Sequence, residues 1–256
     1  MKKIAVCGKG GSGKSTVVAL LAHGLADRGF RVLVVDADES NPGLYLMLGT
    51  RERPQPLLEL VGGKRKVLEA FSNESGSPES VLTREQIATS DLPSGYVEEH
   101  DGIRLVCVGK ILQSLEGCAC PMGALSREFL HRLCLQDNEV AVIDTEAGIE
   151  HFGRGVETSV DAVIAVTEPS FDSIELAAKI GDLAAEMGLD GSCAILNKVA
   201  SDELGSQLEH TLLDRGLKII GVIGYEPELF QAALEGRPVN RERVKTDIGK
   251  ILDKLL

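Results

Sequence analysis

Residues 8–16 read Gly8-Lys9-Gly10-Gly11-Ser12-Gly13-Lys14-Ser15-Thr16. They match the pattern G-x-x-x-x-G-K-[ST], and they stand between an apolar stretch, Ile4–Cys7, and an amphipathic stretch, Ser15–Arg28. Glycines let the backbone turn its N–H groups toward an anion, and a helix beginning at Ser15 points its positive end at the same place. The pattern therefore predicts a phosphate-binding loop between a strand and a helix. Lys14 is expected to lie against the β- and γ-phosphates of a nucleotide, and Ser15 to offer its hydroxyl to Mg²⁺.

Apolar runs of strand length recur along the chain and alternate with amphipathic runs of helix length. The strand-like runs are Ile4–Cys7, Val32–Val35, Leu105–Val108, Val140–Ile143, Ala162–Val166, Ala194–Leu196 and Ile219–Ile223. They are nearly continuous rather than alternating, as is typical of parallel strands covered on both faces. Helices are predicted at Ser15–Arg28, Ser173–Met187 and Asp202–Arg215. The sequence thus predicts an α/β fold with a doubly wound, mainly parallel sheet of about seven to eight strands flanked by helices.

The alternation stops between about residues 50 and 102, where Pro, Gly, Ser and Glu are frequent. A helix is possible at Leu57–Phe71, and Tyr96–Val108 could form a hairpin that turns at Asp101-Gly102. Since neither a repeat nor a linker is visible, we interpret residues 1–256 as one domain that carries an insertion at about 50–102.

Composition excludes several classes of protein. The chain has 27 Lys and Arg against 39 Asp and Glu, a net charge of −12, which argues against nucleic-acid binding and against anionic lipid surfaces. Trp is absent, and no apolar run approaches the length of about 18 residues that a membrane span needs. The N-terminus leads directly into a strand without a signal-peptide pattern, so we expect a cytoplasmic protein whose six Cys are reduced.

Three acidic residues fall where strands of the predicted sheet end. Asp36 and Asp38 follow the second apolar run, and Asp144 follows the run Val140–Ile143. The carboxyl ends of parallel strands face the ligand crevice in such sheets, so we favour a role at the nucleotide over the alternative of helix caps or turn residues.

The lysine at position 9 makes the loop resemble the deviant Walker A motif of the nitrogenase iron protein, MinD and ParA class of P-loop ATPases. The resemblance implies an ATP-sandwiched homodimer in which Lys9 reaches the partner's nucleotide. It also implies that Asp38 orients the attacking water, that Asp36 lies in the Mg²⁺ shell, and that Asp144 holds Mg²⁺, partly through water. The following Ala147-Gly148 is similar to the switch that senses the γ-phosphate.

Two later segments resemble the base-binding parts of the same class. Asn197-Lys198, after the sixth strand, is similar to the motif that recognises adenine, and an Asn amide can pair with N6 and N7 of that base. A second base-contacting loop is implied at Pro227, Glu228 and Leu229, with an ordinary loop and helix as the alternative.

Cysteines fall into two groups. Cys7, Cys107 and Cys193 lie in apolar strands and Cys134 in an apolar helical run, as expected of buried small side chains. Cys118 and Cys120 instead lie in a polar segment, residues 116–123, bounded by Gly and Pro. They could supply two thiolates to a soft metal. Two chains together would complete a tetrahedral Cys₄ site for Zn²⁺ or Ni²⁺, or one chain could bind Ni²⁺ in a square plane with backbone nitrogens. A redox pair or incidental thiols are the alternatives.

The Cys-x-Cys-Pro segment, the deviant loop and Asp144-Thr145-Glu146-Ala147-Gly148 together resemble the CooC family. That resemblance implies a nickel-inserting, dimeric ATPase for carbon monoxide dehydrogenase. The related maturation ATPases of acetyl-CoA synthase share this layout, so the client stays open, as does the role of His151.

Other functions explain fewer of these residues. A MinD- or ParA-type positioning ATPase leaves Cys118 and Cys120 unexplained, and the amphipathic C-terminal run has no aromatic anchor, so we expect it to pack as a helix. An electron-transfer iron protein would need a cysteine in the switch at residues 144–153, which contain none. A purely structural metal dimer would leave the hydrolytic residues unused.

Overall fold

The computed structural model describes residues 2–38, 40–72, 82, 84–109, 120–149, 152 and 155–256. Within these ranges one sheet has eight strands in the order β10-β9-β8-β1-β7-β2-β5-β4. Its strands are β1 (Lys3–Gly8), β2 (Arg31–Asp36), β4 (Glu98–His100), β5 (Ile103–Cys107), β7 (Glu139–Asp144), β8 (Ala162–Thr167), β9 (Cys193–Val199) and β10 (Ile219–Gly224). Two short strands, β3 (Ile87–Ala88) and β6 (Leu133–Cys134), pair separately.

The α-helices in the described ranges fill most of the intervals between strands. They are α1 (Lys14–Asp27), α2 (Leu44–Met47), α3 (Leu57–Leu60), α4 (Lys64–Ser72), α5 (Cys120–Arg132), α6 (Phe171–Glu186), α7 (Asp202–Leu213), α8 (Pro227–Glu235) and α9 (Lys245–Leu255). A 3₁₀ turn at Val156–Ser159 precedes β8. None of the helices in the described part of the chain is long and apolar enough to cross a membrane.

The large sheet is parallel except for β4, which confirms the predicted doubly wound α/β class. Its central strands are buried on both faces, because alternate residues pack into two separate apolar clusters. Ala5 and Cys7 of β1 belong to one cluster, and Ile4 and Val6 belong to the other. This double burial is why the strands read as continuous apolar runs.

The chain winds in both directions from β1. It proceeds through β2 on one side, and later through β8, β9 and β10 on the other. In open α/β sheets such a reversal of strand order leaves a crevice beyond the carboxyl ends of the strands. The phosphate loop after β1 therefore lies at the point where this topology provides a binding site.

Three local predictions need correction. The helix expected at Leu57–Phe71 is two helices, α3 and α4, because Gly62 and Gly63 both adopt left-handed φ angles of 89° and 88°. Cys134 lies in strand β6 rather than in a helix, and it is half-buried rather than buried. Asn197 and Lys198 lie inside β9 rather than after it. The hairpin turning at Asp101-Gly102 is confirmed by the antiparallel pairing of β4 with β5.

The C-terminal run forms α9, whose apolar residues face the protein core. Ile248, Ile251, Leu252 and Leu255 are all buried, and the helix lies against α1 and β10. The expectation that this helix packs is therefore confirmed. Its apolar face is buried against α1 and β10.

Candidate nucleotide-binding site

A cleft of about 480 Å³ opens at the carboxyl edge of the sheet. The predicted site residues in its wall are Gly10, Gly11, Gly13, Lys14, Ser15, Thr16, Asp38, Asn197, Lys198 and Leu229. The structure thus brings together residues as far apart in the sequence as Gly10 and Leu229. The other predicted residues whose side chains the structure describes do not line this wall; they are Gly8, Lys9, Ser12, Asp36, Asp144, Pro227 and Glu228.

The phosphate loop is packed tightly against the neighbouring strands. A Cβ atom at Gly8 would come within 2.5 Å of the Val166 carbonyl oxygen, and one at Gly13 within 2.3 Å of Asn197 Nδ2. Gly8 and Gly13 also have positive φ angles of 145° and 95°. Both positions therefore require glycine, for lack of space as well as for backbone conformation.

Asn197 and Lys198 tie this loop to β9. Asn197 Nδ2 donates a hydrogen bond of 2.8 Å to the Ser12 carbonyl oxygen, and Lys198 Nζ donates to the Gly11 carbonyl oxygen. Two consecutive loop carbonyls thus accept hydrogen bonds from side chains of β9. Since an amide has two N–H groups and an oxygen, Asn197 keeps the donor and acceptor that the predicted adenine contact needs.

Ser15 and Asp144 form a buried oxygen cluster beside the loop. Ser15 Oγ donates to Asp144 Oδ2 at 2.6 Å and accepts from Asn41 Nδ2 at 2.6 Å. Asp144 is fully buried, and its Oδ1 has no hydrogen-bond partner among the described residues. Asp36 holds the position opposite Asp144 in the pairing of β2 with β7.

The chemistry of this cluster suits a magnesium ion. Burial and the nearby Asp36 carboxylate together raise the pKa of Asp144 to about 7, although the Ser15 hydroxyl and the Lys14 ammonium act in the opposite direction. Hydroxyl and carboxylate oxygens are ligands that Mg²⁺ accepts, with nucleotide phosphates and water completing its shell. Ser15 and Asp144 therefore fit the magnesium ion of a Mg-nucleotide.

Asp38 is held in the cleft wall by its own turn. Its Oδ1 accepts hydrogen bonds from the Ser40 backbone N–H at 2.8 Å, from Ser40 Oγ at 2.7 Å and from the Asn41 backbone N–H at 3.3 Å. Asn41 in turn reaches Ser15. The sequence analysis missed Ser40 and Asn41, although an Asp followed by Ser and Asn is a recognisable turn pattern.

The proposed switch touches the phosphate loop directly. The Gly148 backbone N–H donates to the Gly8 carbonyl oxygen at 3.1 Å, and Ala147 lines the cleft. A ligand that moved the loop would therefore act on the segment that follows β7.

The far end of the cleft is apolar. Tyr225, Leu229, Phe230 and Ala233 line it, and the rings of Tyr225 and Phe230 are more than half exposed. Of the predicted base-contacting loop only Leu229 belongs to this wall. Pro227 opens helix α8, and Glu228 pairs with Arg237 at 2.9 Å.

The predicted metal segment can be placed only in part. Cys118 and His151 lie outside the described residues, and the backbone of Cys120 begins helix α5. Across the ranges that the structure describes, no three His, Cys, Asp or Glu side chains converge to hold a metal ion. The four described cysteines are free thiols, and burial raises the pKa of Cys193 to about 12. Cys193 is thus an unreactive core residue.

Asp144 gives the unliganded protein a pH-dependent stability. In EDTA, its folded carboxyl keeps a proton that the unfolded chain loses near pH 4, so the free energy of unfolding should fall between about pH 4 and 7. We expect Asp144→Asn to remove this fall and to stabilise the unliganded protein by about 2–4 kcal/mol at pH 8. Urea unfolding at pH 5 and 8 measures the effect.

Asp161 is the control for this experiment because its pKa is shifted in the opposite direction. Burial works against that shift, but hydrogen bonds from the Lys2 and Lys3 backbone N–H groups lower the pKa of Asp161 overall. Asp161 stabilises the folded protein above about pH 4, and this stabilisation is lost only at lower pH. Asp161→Asn should therefore leave the change in the free energy of unfolding between pH 5 and 8 as it is in wild type. If the free energy of unfolding of Asp144→Asn falls with pH as steeply as that of wild type, Asp144 is not the group that causes the pH dependence.

Comparison with known sequences places the chain among nucleotide-binding proteins. The family described as the CobQ/CobB/MinD/ParA nucleotide binding domain matches residues 3–239. An uncharacterized ATP-binding protein of Methanocaldococcus jannaschii is 42% identical, over 98% of this chain and 100% of the relative. The carbon monoxide dehydrogenase accessory protein CooC of Rhodospirillum rubrum is 39% identical, over 78% of this chain and 75% of the relative.

Comparison with solved structures agrees on the fold. The septum site-determining protein MinD of Pyrococcus horikoshii, complexed with Mg-ADP, has a TM-score of 0.72 at 18% identity, covering 99% of this chain and 95% of that one. The cell division ATPase MinD of Pyrococcus furiosus has a TM-score of 0.69 at 20% identity, covering 100% and 98%. The phosphate loop, the Ser15–Asp144 cluster and the family match agree with one another: the protein is an ATPase that uses ATP with Mg²⁺, and the chain belongs to the CobQ/CobB/MinD/ParA nucleotide-binding family.

Proposed function

We propose that this ATPase is a metallochaperone that binds Ni²⁺ or Zn²⁺ through Cys118 and Cys120 and assists nickel insertion into carbon monoxide dehydrogenase. The observation that carries the proposal is a Cys-x-Cys-Pro segment in a chain that is 39% identical to a carbon monoxide dehydrogenase accessory protein. Two thiolates per chain leave a tetrahedral site half complete, and a second copy of the chain would complete it.

Dimerisation belongs to the same proposal. Lys9 lies on the phosphate loop but outside the cleft wall, with about a third of its side chain exposed. A lysine in this place can serve a second nucleotide rather than its own. We propose an ATP-sandwiched homodimer in which Lys9 of each chain contacts the nucleotide of the other.

The fold offers a route by which the nucleotide could influence the metal. The switch glycine Gly148 is hydrogen-bonded to Gly8 of the loop. Helix α5 begins at Cys120, buries Met122, Leu125 and Phe129, and contacts the 3₁₀ turn Val156–Ser159 that follows the switch. Because ATP can drive metal release only if the metal is bound differently in the two nucleotide states, this connection favours a carrier over a static metal site.

The experiment compares wild-type protein with the double variant Cys118→Ser, Cys120→Ser. We expect wild-type protein to bind one Zn²⁺ or Ni²⁺ per dimer, or one Ni²⁺ per chain if backbone nitrogens join, with lower affinity at acid pH because thiolates must be deprotonated. The double variant should lose the metal and client activation while keeping basal ATPase activity. Metal content by mass spectrometry, oligomer mass with ADP or ATP, and activation of carbon monoxide dehydrogenase in a reconstituted assay are the measurements.

Cys134→Ser is the matched control because Cys134 is a half-buried thiol in β6 and is predicted to take no part in metal binding. It should retain the metal in full. Full retention in the double variant would remove the carrier proposal and leave an ATPase with another client. Activation of acetyl-CoA synthase instead of carbon monoxide dehydrogenase would keep the carrier and change the client.

A positioning ATPase of the MinD kind is the second candidate, favoured by the structural neighbours. At 18% and 20% identity that likeness concerns the fold alone. The buried apolar face of α9 and the net charge of −12 argue against binding to anionic lipid or DNA. Binding to anionic vesicles in the presence of ATP would favour this candidate over the first.

A further inference from the structure

One carboxylate beside the phosphate loop binds two lysines at once. Glu168 Oε1 lies 3.4 Å from Lys9 Nζ, and Glu168 Oε2 lies 3.2 Å from Lys198 Nζ. Lys9 belongs to the phosphate loop and Lys198 to strand β9. Glu168 therefore connects the loop to the strand that carries the predicted adenine-binding residue Asn197.

The position of Glu168 is determined by the start of helix α6. Glu168 follows the last residue of β8, and its backbone N–H donates to the buried Ser173 Oγ at 3.1 Å. Its carbonyl oxygen accepts from the Ser170 N–H at 2.7 Å. With both backbone groups bound, the backbone of Glu168 is fixed, so its carboxylate can follow a lysine only within the reach of its own side chain.

Lys198 is held independently of Glu168. Its ammonium also donates to the Gly11 carbonyl oxygen, and its backbone has a left-handed φ angle of 60°, which is strained for a residue with a side chain. This strained conformation directs the side chain back over the loop. Lys9, in contrast, depends on Glu168 for the ion pair that keeps its ammonium on its own chain.

We propose that Glu168 is a latch that retains Lys9 on its own subunit in the nucleotide-free protein and releases it when ATP closes the dimer. The proposal rests on the homodimer proposed above, in which Lys9 serves the partner's nucleotide. A triphosphate with several negative charges competes for the ammonium against a single carboxylate, and Lys198 remains to neutralise Glu168 after Lys9 has left. Glu168 is thus a positioning residue that sets the ATP concentration at which dimers form.

The test uses Glu168→Gln, which keeps the size of the side chain and removes its charge. In the absence of nucleotide, we expect a water-soluble ester to acetylate Lys9 about two- to fivefold faster in Glu168→Gln than in wild type. The factor is modest because the variant loses one partly exposed ion pair. Labelling of Lys198 should change less, because Gly11 still holds it. Rates are measured by mass spectrometry relative to the exposed Lys179.

The second readout is dimer mass by light scattering during an ATP titration. The ATP concentration at half-dimerisation should fall by a similar factor in Glu168→Gln. Glu175→Gln is the matched control, because Glu175 pairs with Arg215, neither residue lines the cleft, and the change should alter neither quantity.

The outcomes test the role of Glu168 separately from the proposed homodimer. Faster labelling of Lys9 without a dimer in either protein would support the retention of Lys9 by Glu168 while contradicting the proposed homodimer. Unchanged labelling of Lys9 would overturn the latch. A higher ATP requirement for the dimer would also overturn it, since Glu168 would then stabilise the closed form instead of opposing it.

Discussion

Replacing Lys14 by alanine should abolish ATP hydrolysis and weaken nucleotide binding by about 100-fold or more. Lys14 is the first residue of α1, is buried in the cleft wall, and has its ammonium hydrogen-bonded to the Lys9 carbonyl oxygen at 3.4 Å. A hydrogen bond from a buried cation to a charged group contributes up to about 3 kcal/mol, and removing one group that stabilises transition-state charge lowers kcat by about 10²–10³-fold. The two losses act on the same reaction, so turnover should fall below detection.

Equilibrium binding of a fluorescent ATP analogue and phosphate release measure the two losses separately. Lys179→Ala is the matched control, because it removes the same charge from an exposed position on α6 and should change neither. The folded state should persist in Lys14→Ala, since alanine is the best helix former and the position begins a helix. Wild-type affinity for Mg-ATP in Lys14→Ala would contradict the assignment of the cleft to the triphosphate.

Replacing Asp38 by asparagine should preserve ATP binding and slow turnover by about 100-fold or more. Asparagine has the same shape, and its carbonyl oxygen can keep the hydrogen bonds from Ser40 and Asn41 that hold the turn. An amide, however, cannot accept a proton from the attacking water or orient it as a carboxylate does, and a positioned base typically contributes about 10²–10⁴-fold. The affinity for ATP should stay within about threefold, because the phosphate contacts lie elsewhere in the cleft.

A single-turnover assay distinguishes this effect from slow product release. Asp190→Asn makes the same chemical change at an exposed position after α6 and should hydrolyse ATP at the wild-type rate. If Asp38→Asn also hydrolyses ATP at the wild-type rate, Asp38 is not the residue that activates the water. Asp36 would then be the next candidate, since it is buried opposite Asp144.

Local sequence was enough to predict the sheet and the phosphate loop. Val140–Ile143 form an apolar run because β7 is buried along its whole length, and the structure extends this run by only one residue at each end. The apolar runs of β1, β2 and β8 match the observed strands to within a residue or two for the same reason. The loop was predictable because its glycines and Lys14 are contiguous and their spacing is set by the backbone turn itself. The prediction of one helix at Leu57–Phe71 was wrong. It followed the amphipathic pattern of the side chains and neglected the two glycines at 62 and 63, which interrupt the helix.

Only the tertiary structure decided which side chains meet in the cleft. Asp36 ends β2 and Asp38 follows two residues later, so their positions in the sequence pattern do not separate their roles. The turn at Ser40 places Asp38 in the cleft wall, while Asp36 stays beside Asp144. Glu168 is 159 positions from Lys9 in the sequence, and the two are joined because β8 pairs with β1. Spacing along a chain specifies backbone turns and apolar faces, whereas ion pairs and the pKa of a buried carboxyl depend on which strands become neighbours, and that is settled when the whole sheet forms.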